Sequence, residues 1–397
     1  MPPKAKNASK HNGHVNNKTK GKSKKQVEED DFEKFLSTLA KSTEHVGKER
    51  TEKEAREAKL RDEHRKKHAD LTDQRKSNDV EKALLNRQKN MQLQRLLSEL
   101  LAAQRPFNTT PVTDFHSETI TSNPHFDVAV GEMQGWRAQM EDAHLINVAF
   151  PGGDEQGREG LFGVFDGHSG AQCAKLAGDF FTTALAKHAS ADGDDHHNIN
   201  YEAAFLEVDE QLRTALGEGG SGCTAVLVYV SPQEITCAWV GDSRAVLCRD
   251  IASFDLSYDH KPDVEVEKTR VEDAGGFVRD NRVNGQLAMS RAMGDFVYKK
   301  DATRDVKQQL VVAVPGVITT KRGGGDSYVV IACDGIFDVL SNDELISFIN
   351  GKKADGMENV DICKAVCDRC LAGAAPEGGP ATAEGTDNMT LMIVDFK

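Results

Sequence analysis

The sequence predicts an α+β fold whose core is built from antiparallel strands. Short apolar segments of strand composition occur in adjacent pairs with few residues between them, for example Thr224–Tyr229 followed by Ile235–Val240. Such spacing is typical of hairpins, because parallel strands need a crossover of a dozen or more residues. The segment Tyr328–Cys333 is apolar throughout, which predicts a sheet covered on both faces. Longer helical segments between the strands complete the α+β pattern.

Strands and helices are predicted from different spacings of apolar residues. Strands are short runs of β-branched and aromatic residues that end at turn-forming residues. They are Phe126–Val130, Leu145–Phe150, Leu161–Phe165, Thr224–Tyr229, Ile235–Val240, Ala245–Cys248, Tyr328–Cys333 and Met389–Val394. Helices repeat apolar residues every three or four positions. They are Ala171–His188, Glu202–Leu216, Pro262–Ala274, Asn342–Asn350 and Val360–Leu371.

Composition divides the chain into an N-terminal extension, a linker and a main domain. Residues 1–105 carry 26 Lys and Arg against 17 Asp and Glu, whereas 106–397 carry 24 against 46. The first 25 residues hold eight lysines and no acid, which predicts a basic, disordered arm; the rest of the extension is predicted to be charged and partly helical. Residues 106–124, rich in Thr, Ser and Pro, are predicted to be a linker, and 125–397 the main domain.

The charge and cysteine content exclude several functional classes. The net charge of −22 on the main domain argues against nucleic acid as its principal ligand and suits cations. For the basic arm, binding of nucleic acid, of a protein partner or of the acidic domain itself stays open. The eight cysteines follow no disulfide spacing, which predicts reduced thiols. The sequence shows no signal-peptide pattern and no apolar run of membrane-spanning length, so a cytoplasmic and possibly nuclear protein is expected.

Acidic residues stand at the ends of five predicted strands. They are Glu141 with Asp142, Asp166, Asp242, Asp334 and Asp387. One Asp-Gly pair alone would more often form a turn, but strand ends of packed sheets can meet at one rim. Two carboxylates about 4 Å apart repel by about 4 kcal/mol at an effective dielectric of about 20, so a cluster favours bound cations. Oxygen ligands favour Mg²⁺ or Mn²⁺ over zinc, and Ca²⁺ stays open.

Eight motifs occur in order from Phe126 to the C-terminus. They are GWRAQMEDAH (135–144), FGVFDGHSG (162–170), GSGCTAVLV (220–228), WVGDSRAVL (239–247), DHKP (259–262), NGQLAMSRAMGDF (284–296), CDGIFDVLS (333–341) and GTDNMTLMIV (385–394). Together they resemble the metal-dependent type-2C protein serine/threonine phosphatases, the PPM family. The resemblance implies a four-layer α-β-β-α sandwich, with two central antiparallel sheets between helices, and two Mn²⁺ or Mg²⁺ ions at one edge.

The resemblance also implies roles for individual residues. Asp166 would bridge both ions, Gly167 would offer its carbonyl oxygen, and Asp334 with Asp387 would complete one metal site. The second ion would be held by Glu141 and Asp142. In some relatives the residues that match Asp242 and Asp338 support a weaker third ion.

The implied reaction is the dephosphorylation of phosphoserine and phosphothreonine in proteins. A metal-bridging hydroxide would attack phosphorus in line without a phosphoenzyme, Arg137 would bind the phosphate and His168 would act as general acid. Two alternatives stay open: Arg137 as an ordinary surface arginine and His168 as a helix cap. Two other functions also stay open, namely an inactive regulatory scaffold and a metal-dependent hydrolase of small phosphoesters. Asp295 is expected to be a turn or support residue outside the metal set.

Overall fold

The computed structural model describes Lys59 and residues 107–150, 157–191, 197–376 and 378–397. The predictions for the N-terminal extension, Lys59 apart, lie outside the described residues. The strands are β1 Phe107–Ile120, β2 Phe126–Arg137, β3 Ala143–Asn147, β4 Gly160–Phe165, β5 Gly167–His168, β6 Ala189–Ala191, β7 His197–Ile199, β8 Gly222–Cys223, β9 Ala225–Val230, β10 Glu234–Val240, β11 Arg244–Arg249, β12 Ala252–Asp255, β13 Val278–Arg279, β14 Arg282–Val283, β15 Met293–Gly294, β16 Gly316–Lys321, β17 Asp326–Ala332 and β18 Met389–Phe396.

The α-helices of the described residues are α1 Gln172–Lys187, α2 Tyr201–Leu216, α3 Glu265–Asp273, α4 Asp334–Phe337, α5 Asn342–Ala354 and α6 Asn359–Cys370. Short 3-10 helices lie at Phe296–Tyr298 and Val306–Gln308. Helix α5 begins with a capping box, in which the Ser341 hydroxyl accepts from the Glu344 N–H and the Glu344 carboxylate accepts from the Ser341 N–H.

Two antiparallel sheets pack face to face and form the centre of the described domain. One has the strand order β1-β2-β18-β17-β11-β12 and the other β16-β10-β9-β4-β3. Their inner faces meet in a fully buried layer in which Val128, Val329 and Met392 of the first sheet join Phe162 and Val228 of the second. Strands buried on both faces read as continuous apolar runs, which explains the uninterrupted apolar sequence of β17.

Helices cover the outer face of each sheet. Phe181 of α1 and Phe205 of α2 pack on the five-stranded sheet, with their ring centroids 4.6 Å apart. Helices α5 and α6 pack on the six-stranded sheet through residues such as Ile346 and Val366. The predicted α+β fold and its four-layer arrangement are confirmed.

The segment predicted to be a linker, 106–124, is largely a strand. Strand β1 runs antiparallel to β2 and pairs His116 with Glu132 and Ile120 with Val128. Its Thr- and Ser-rich composition suggested a linker because an edge strand leaves most of its residues exposed. The register shifts near Val112, next to Pro111, where an edge strand tolerates the missing N–H.

None of the helices in the described part of the chain has the length and apolar character needed to span a membrane. A small apolar cluster outside the main core includes Val271 of α3, Val283 of β14 and Val311. This cluster supports the segment between β12 and β16.

Candidate metal centre

The acidic residues at the strand ends lie at one rim of the sandwich. Ala332 at the end of β17 pairs with Arg244 at the start of β11, and Phe165 at the end of β4 pairs with Ala143 at the start of β3. Because all these pairs are antiparallel, strand ends and strand starts alternate along the same edge. The residues brought together there are Asp142, Asp166, Asp242, Asp334 and Asp387.

Burial and mutual repulsion raise the pKa of three of these carboxyl groups. Asp142 is 5% exposed, and its pKa rises to about 8 because burial disfavours the charged form and Asp387 and Asp334 add repulsion. For Asp166, burial is the main cause, followed by the charge of Asp142. Burial, then the charges of Asp166 and Asp242, raises the pKa of Asp334 in the same way.

Three buried carboxylate oxygens in the described part of the chain accept no hydrogen bond. They are the Oδ1 atoms of Asp142, Asp242 and Asp334. A buried polar atom without a partner costs about 1–3 kcal/mol, and more when it is charged. The second oxygen of Asp142 accepts from the Thr390 hydroxyl at 2.7 Å, and the second oxygen of Asp242 pairs with Lys261, so these two carboxylates are each held through one oxygen only. Hard cations such as Mg²⁺ and Mn²⁺ fit this donor set.

Cys333 lies beside the carboxylates, and its thiol hydrogen-bonds with backbone groups. Its sulfur, one oxygen of Asp142 and one of Asp166 all lie within 4.8 Å of one another. The thiol donates to the carbonyl oxygen of Asn388 at 3.4 Å, and its sulfur accepts from the Thr390 N–H at 3.2 Å. Burial raises the pKa of this thiol well above its ordinary value. In the absence of metal, the protonated form of the thiol therefore prevails.

Two cationic side chains pair with carboxylates of the cluster. Arg137, at the end of β2, places NH2 2.5 Å from Oδ2 of Asp387, while its buried Nε has no acceptor among the described residues. Lys261 forms an ion pair with Oδ2 of Asp242. Each cation offsets part of the repulsion between the carboxylates. The Oδ1 atoms of Asp142, Asp242 and Asp334 nevertheless have no hydrogen-bond partner among the described residues.

Glycine follows two of the aspartates, Asp166 and Asp334, and permits close packing at the rim. A methyl group on Gly167 would overlap the carbonyl oxygen of Glu141, and one on Gly335 would overlap the carbonyl oxygen of Asn388. Each Asp-Gly pair thus lets a neighbouring strand end approach closely. This packing brings Glu141 and Asp387, the residue before Asn388, to the acidic rim.

Asn388 joins the two sides of the centre and was missed in the sequence analysis as a functional residue. Its Nδ2 donates to the carbonyl oxygens of Gln134 and Gln139 at 2.8 and 3.0 Å, and its Oδ1 accepts from the Glu141 N–H at 2.9 Å. The Glu141 side chain accepts from the Gly170 N–H at 2.9 Å. Asn388 therefore fixes the turn between Arg137 and Glu141 against the start of β18.

His168 lies next to the carboxylates on β5, and its partner is Asp295. The His168 Nε2 is 2.8 Å from Oδ2 of Asp295, and its Nδ1 is buried with no partner among the described residues. Burial alone would lower the pKa of His168, but the charge of Asp295, aided by Asp242 and Glu141, raises it. Asp295 was expected from the sequence to be a turn or support residue, and its side chain contacts the ring of His168.

Asp338, the remaining site candidate, lies at the edge of the cluster. It is exposed at the C-terminal end of α4 and adds to the repulsion on Asp334.

His260 has a structural environment. Its ring stacks on Trp239 with centroids 5.5 Å apart, and its Nδ1 accepts from the Gly241 N–H at 3.3 Å. Burial lowers the pKa of His260 to about 3, so it remains neutral and structural.

The comparison with known proteins agrees with this architecture. Residues 126–377 match the family model described as Protein phosphatase 2C. A probable protein phosphatase 2C of Caenorhabditis elegans is 38% identical over 287 residues, which cover 72% of this chain and 78% of the relative. Protein phosphatase 2C homolog 2 of Schizosaccharomyces pombe is 38% identical over 294 residues, 72% of this chain and 77% of the relative. The crystal structure of serine-threonine phosphatase 2C from Toxoplasma gondii shares the fold, with a TM-score of 0.55 and 21% identity over 71% of this chain and 99% of that one.

Proposed function

Since the chain belongs to the protein phosphatase 2C family of metal-dependent serine/threonine phosphatases, we propose that it removes phosphate from phosphoserine and phosphothreonine in proteins with two Mn²⁺ or Mg²⁺ ions. The observation that carries this proposal is the cluster of buried carboxylates with orphaned oxygens at the rim of the sheets. Without bound cations, the mutual repulsion of these carboxylates would only destabilise the folded chain.

The proposed ligands divide between two ions. Asp334 and Asp387 would complete one site, Glu141 and Asp142 would hold the second ion, and Asp166 would contribute to both, with the carbonyl oxygen of Gly167 as a further ligand. When bound, divalent cations lower the pKa of water and offset the negative charge of a phosphate. All these donors are oxygen atoms, which supports Mg²⁺ or Mn²⁺.

Arg137 and His168 would act on the substrate directly. The guanidinium of Arg137 lies at the carboxylate cluster, and a planar fork of donors binds two phosphate oxygens better than an ammonium does. The alkoxide of serine or threonine is a poor leaving group, so a proton from His168 would assist its departure by roughly a hundredfold or more. The raised pKa of His168 supports this role, because it keeps the proton available near neutral pH.

The cysteines are poorly suited to act as nucleophiles, which supports direct attack by water without a phosphoenzyme. Cys333 is buried beside the carboxylates, and its high pKa makes it a poor nucleophile. The pair Cys363 and Arg369, which has the spacing of a cysteine-dependent phosphatase, lies within α6. Helix α6 packs on the outer face of the six-stranded sheet and has no loop to cradle a phosphate.

The decisive experiment compares a phosphothreonine peptide with a chromogenic aryl phosphate in the presence of EDTA, Mg²⁺ or Mn²⁺. We expect hydrolysis of both with either metal and none with the chelator. Activity that survives chelation, or that persists in the double variant Asp166→Ala with Asp334→Ala, would exclude the metal-dependent mechanism. Hydrolysis of small phosphoesters alone, with no phosphopeptide turnover, would favour a metabolite phosphatase, and no turnover at all a regulatory scaffold.

A further inference from the structure

A buried ion pair joins helix α2 to the loop behind His168. The Lys299 ammonium donates to Oδ1 and Oδ2 of Asp209 at 2.8 and 2.9 Å and to the carbonyl oxygen of Ala292 at 2.9 Å. All three of its protons are therefore used. The two charged side chains are only 6% and 13% exposed. Because desolvation offsets much of the attraction between buried charges, such a pair contributes little to stability by itself.

The Asp209 carboxylate also holds the backbone of this loop. Its Oδ1 accepts from the Gly294 N–H at 2.8 Å. Gly294 and Asp295 both have left-handed backbone conformations, with φ of 72° and 51°. A residue other than glycine keeps this conformation only where surrounding contacts hold it. The hydrogen bond from α2 is one such contact, and it acts on the residue directly before Asp295.

The turn at Gly294 delivers Asp295 to His168 across a small sheet. Strands β15, β8 and β5 lie side by side, with Gly294 opposite Gly222 and Gly222 opposite His168. A methyl group on Gly222 would overlap both Oδ2 of Asp295 and Nε2 of His168. The bond between carboxylate and imidazole therefore lies directly against the backbone of β8. A small displacement of the turn would separate the two groups.

Lys299 closes the other end of the loop. It follows the 3-10 helix Phe296–Tyr298, and its N–H donates to the carbonyl oxygen of Phe296 at 3.0 Å. The Phe296 ring is fully buried, with the Lys299 ammonium 5.5 Å and the guanidinium of Arg213 in α2 4.3 Å from its centroid. The chain from Ala292 to Lys299 is therefore closed by the lysine and fixed to α2.

We propose that Asp209 and Lys299 are positioning residues for the reaction: their ion pair holds the turn before Asp295 and thereby keeps that carboxylate on Nε2 of His168. This inference rests on the proposed function, in which His168 is the general acid. Asp209 and Lys299 lie outside the proposed metal ligands and act only through Asp295. Their loss is therefore expected to impair proton donation to the leaving group and to leave metal binding intact.

The kinetic test compares a phosphothreonine peptide with an aryl phosphate that has a good leaving group. We expect Asp209→Ala to lower kcat for the peptide about tenfold, with far less effect on the aryl phosphate and none on Mn²⁺ affinity. Asp209→Asn keeps an oxygen that accepts from the Gly294 N–H and is expected to lose less. Asp209→Ala combined with Asp295→Asn is expected to be no slower than Asp295→Asn alone, because both changes act through one hydrogen bond.

A second measurement needs neither metal nor turnover. It follows the Nε2 proton of His168 by NMR in the ¹⁵N-labelled, metal-free full chain. A ring proton donated to a buried carboxylate resonates downfield and exchanges slowly with water. We expect this signal in the wild type, and we expect it to shift or to disappear through exchange in Asp209→Ala.

The matched control is Asp395→Ala, which removes the partner of the Lys353 ammonium near the far end of β18, where Nζ also contacts both carboxylate oxygens. It is expected to lower stability and to leave both the substrate preference and the His168 signal unchanged. If Asp209→Ala fails to fold, as judged by circular dichroism, Lys299→Met replaces it with the same expectations.

Three results would overturn the inference: equal losses on the two substrates, additive losses in the double variant, or an unchanged His168 proton in Asp209→Ala. Failure of the proposed function is distinct, because the wild type then turns over no phosphothreonine peptide. The His168 proton still decides in that case whether Asp209 holds Asp295 against the imidazole.

Discussion

Asp295 holds the ring of His168 from a left-handed turn, with Oδ2 2.8 Å from Nε2 of the imidazole. Asp295 is 1% exposed, and its backbone N–H donates to the carbonyl oxygen of Ser221 at 3.0 Å. The preceding Gly294 donates its N–H to Asp209 of α2 at 2.8 Å. An outer helix therefore positions the carboxylate that orients the proposed general acid, as outer partners commonly orient catalytic imidazoles.

Asp295→Asn is expected to reduce turnover of a phosphothreonine peptide by roughly ten- to a hundredfold. Asparagine tolerates the positive φ of 51° at this position, so the fold is retained, but a neutral amide no longer stabilises the imidazolium form of His168. An aryl phosphate with a good leaving group needs less proton donation, so its turnover is expected to fall far less. Steady-state kinetics on the two substrates measure the difference.

The control for this prediction is Mn²⁺ affinity, which Asp295→Asn leaves unchanged because Asp295 is outside the proposed ligand set. Equal losses on both substrates would contradict a role through His168. They would instead indicate a general disturbance of the rim.

Gly335→Ala is expected to weaken Mn²⁺ binding and lower the thermal unfolding midpoint. The added methyl group would overlap the carbonyl oxygen of Asn388, so the start of β18, with Asp387, must move away from Asp334. Gly323→Ala is the matched control, since a methyl group there meets no atom within 4 Å. Equal Mn²⁺ affinity in the two variants would contradict the prediction that the close packing of Gly335 against Asn388 positions Asp387 for metal binding.

Without metal, the stability of the fold is expected to fall as pH rises towards 8. The pKa of Asp142 is about 8 in the folded chain against 3.8 for the free side chain, and those of Asp166 and Asp334 are also raised. Between these values the folded state binds more protons than the unfolded state, so raising the pH favours unfolding. Bound cations pair with the ionised carboxylates and remove this dependence.

Thermal unfolding at pH 6.5 and pH 8.5, with EDTA or with saturating Mg²⁺, measures the effect. We expect the midpoint to fall with pH in EDTA and to change much less in Mg²⁺, with the same chain serving as its own control. A midpoint in EDTA that rises over this interval would show that the carboxylates are not protonated in the folded chain.

Asn388→Ala is expected to weaken Mn²⁺ binding about tenfold. It is also expected to lower the free energy of unfolding by roughly 1–3 kcal/mol, because the buried side-chain amide of Asn388 no longer donates to the carbonyl groups of Gln134 and Gln139. The control is Asn350→Ala. Asn350 also joins two segments through its side chain, accepting from the Tyr328 hydroxyl and donating to the carbonyl oxygen of Ile251, but far from the rim. Both variants lose stability, and only Asn388→Ala loses metal affinity. Equal metal binding in the two would contradict the positioning role of Asn388.

The residues whose site roles the sequence predicted differ from those whose partners it did not indicate in how their positions are set. Asp166 and Asp334 each follow an apolar strand directly, so local pattern and the packing of strand ends suffice to bring them together. Lys261 and Asp295 occupy loops whose positions depend on contacts distant in sequence, the first on the turn at Gly241 and the second on Ser221 and Asp209. The residues lay within recognisable motifs, but no periodicity indicated their partners.

Phe115 offers a test of the strand that replaces the predicted linker. Its ring packs so closely on Gly131 of β2 that a methyl group there would overlap it, and it also lies against Cys363 of α6. Phe115→Ala in the full chain is therefore expected to lower the free energy of unfolding by roughly 1–3 kcal/mol. A linker residue would tolerate the change without loss. His116→Ala, exposed on the same strand, is the control and is expected to be neutral. Denaturant unfolding of both variants decides the matter: equal stabilities would mean that the edge strand contributes nothing to the fold, whereas a loss confined to Phe115→Ala shows that β1 is part of the six-stranded sheet in solution.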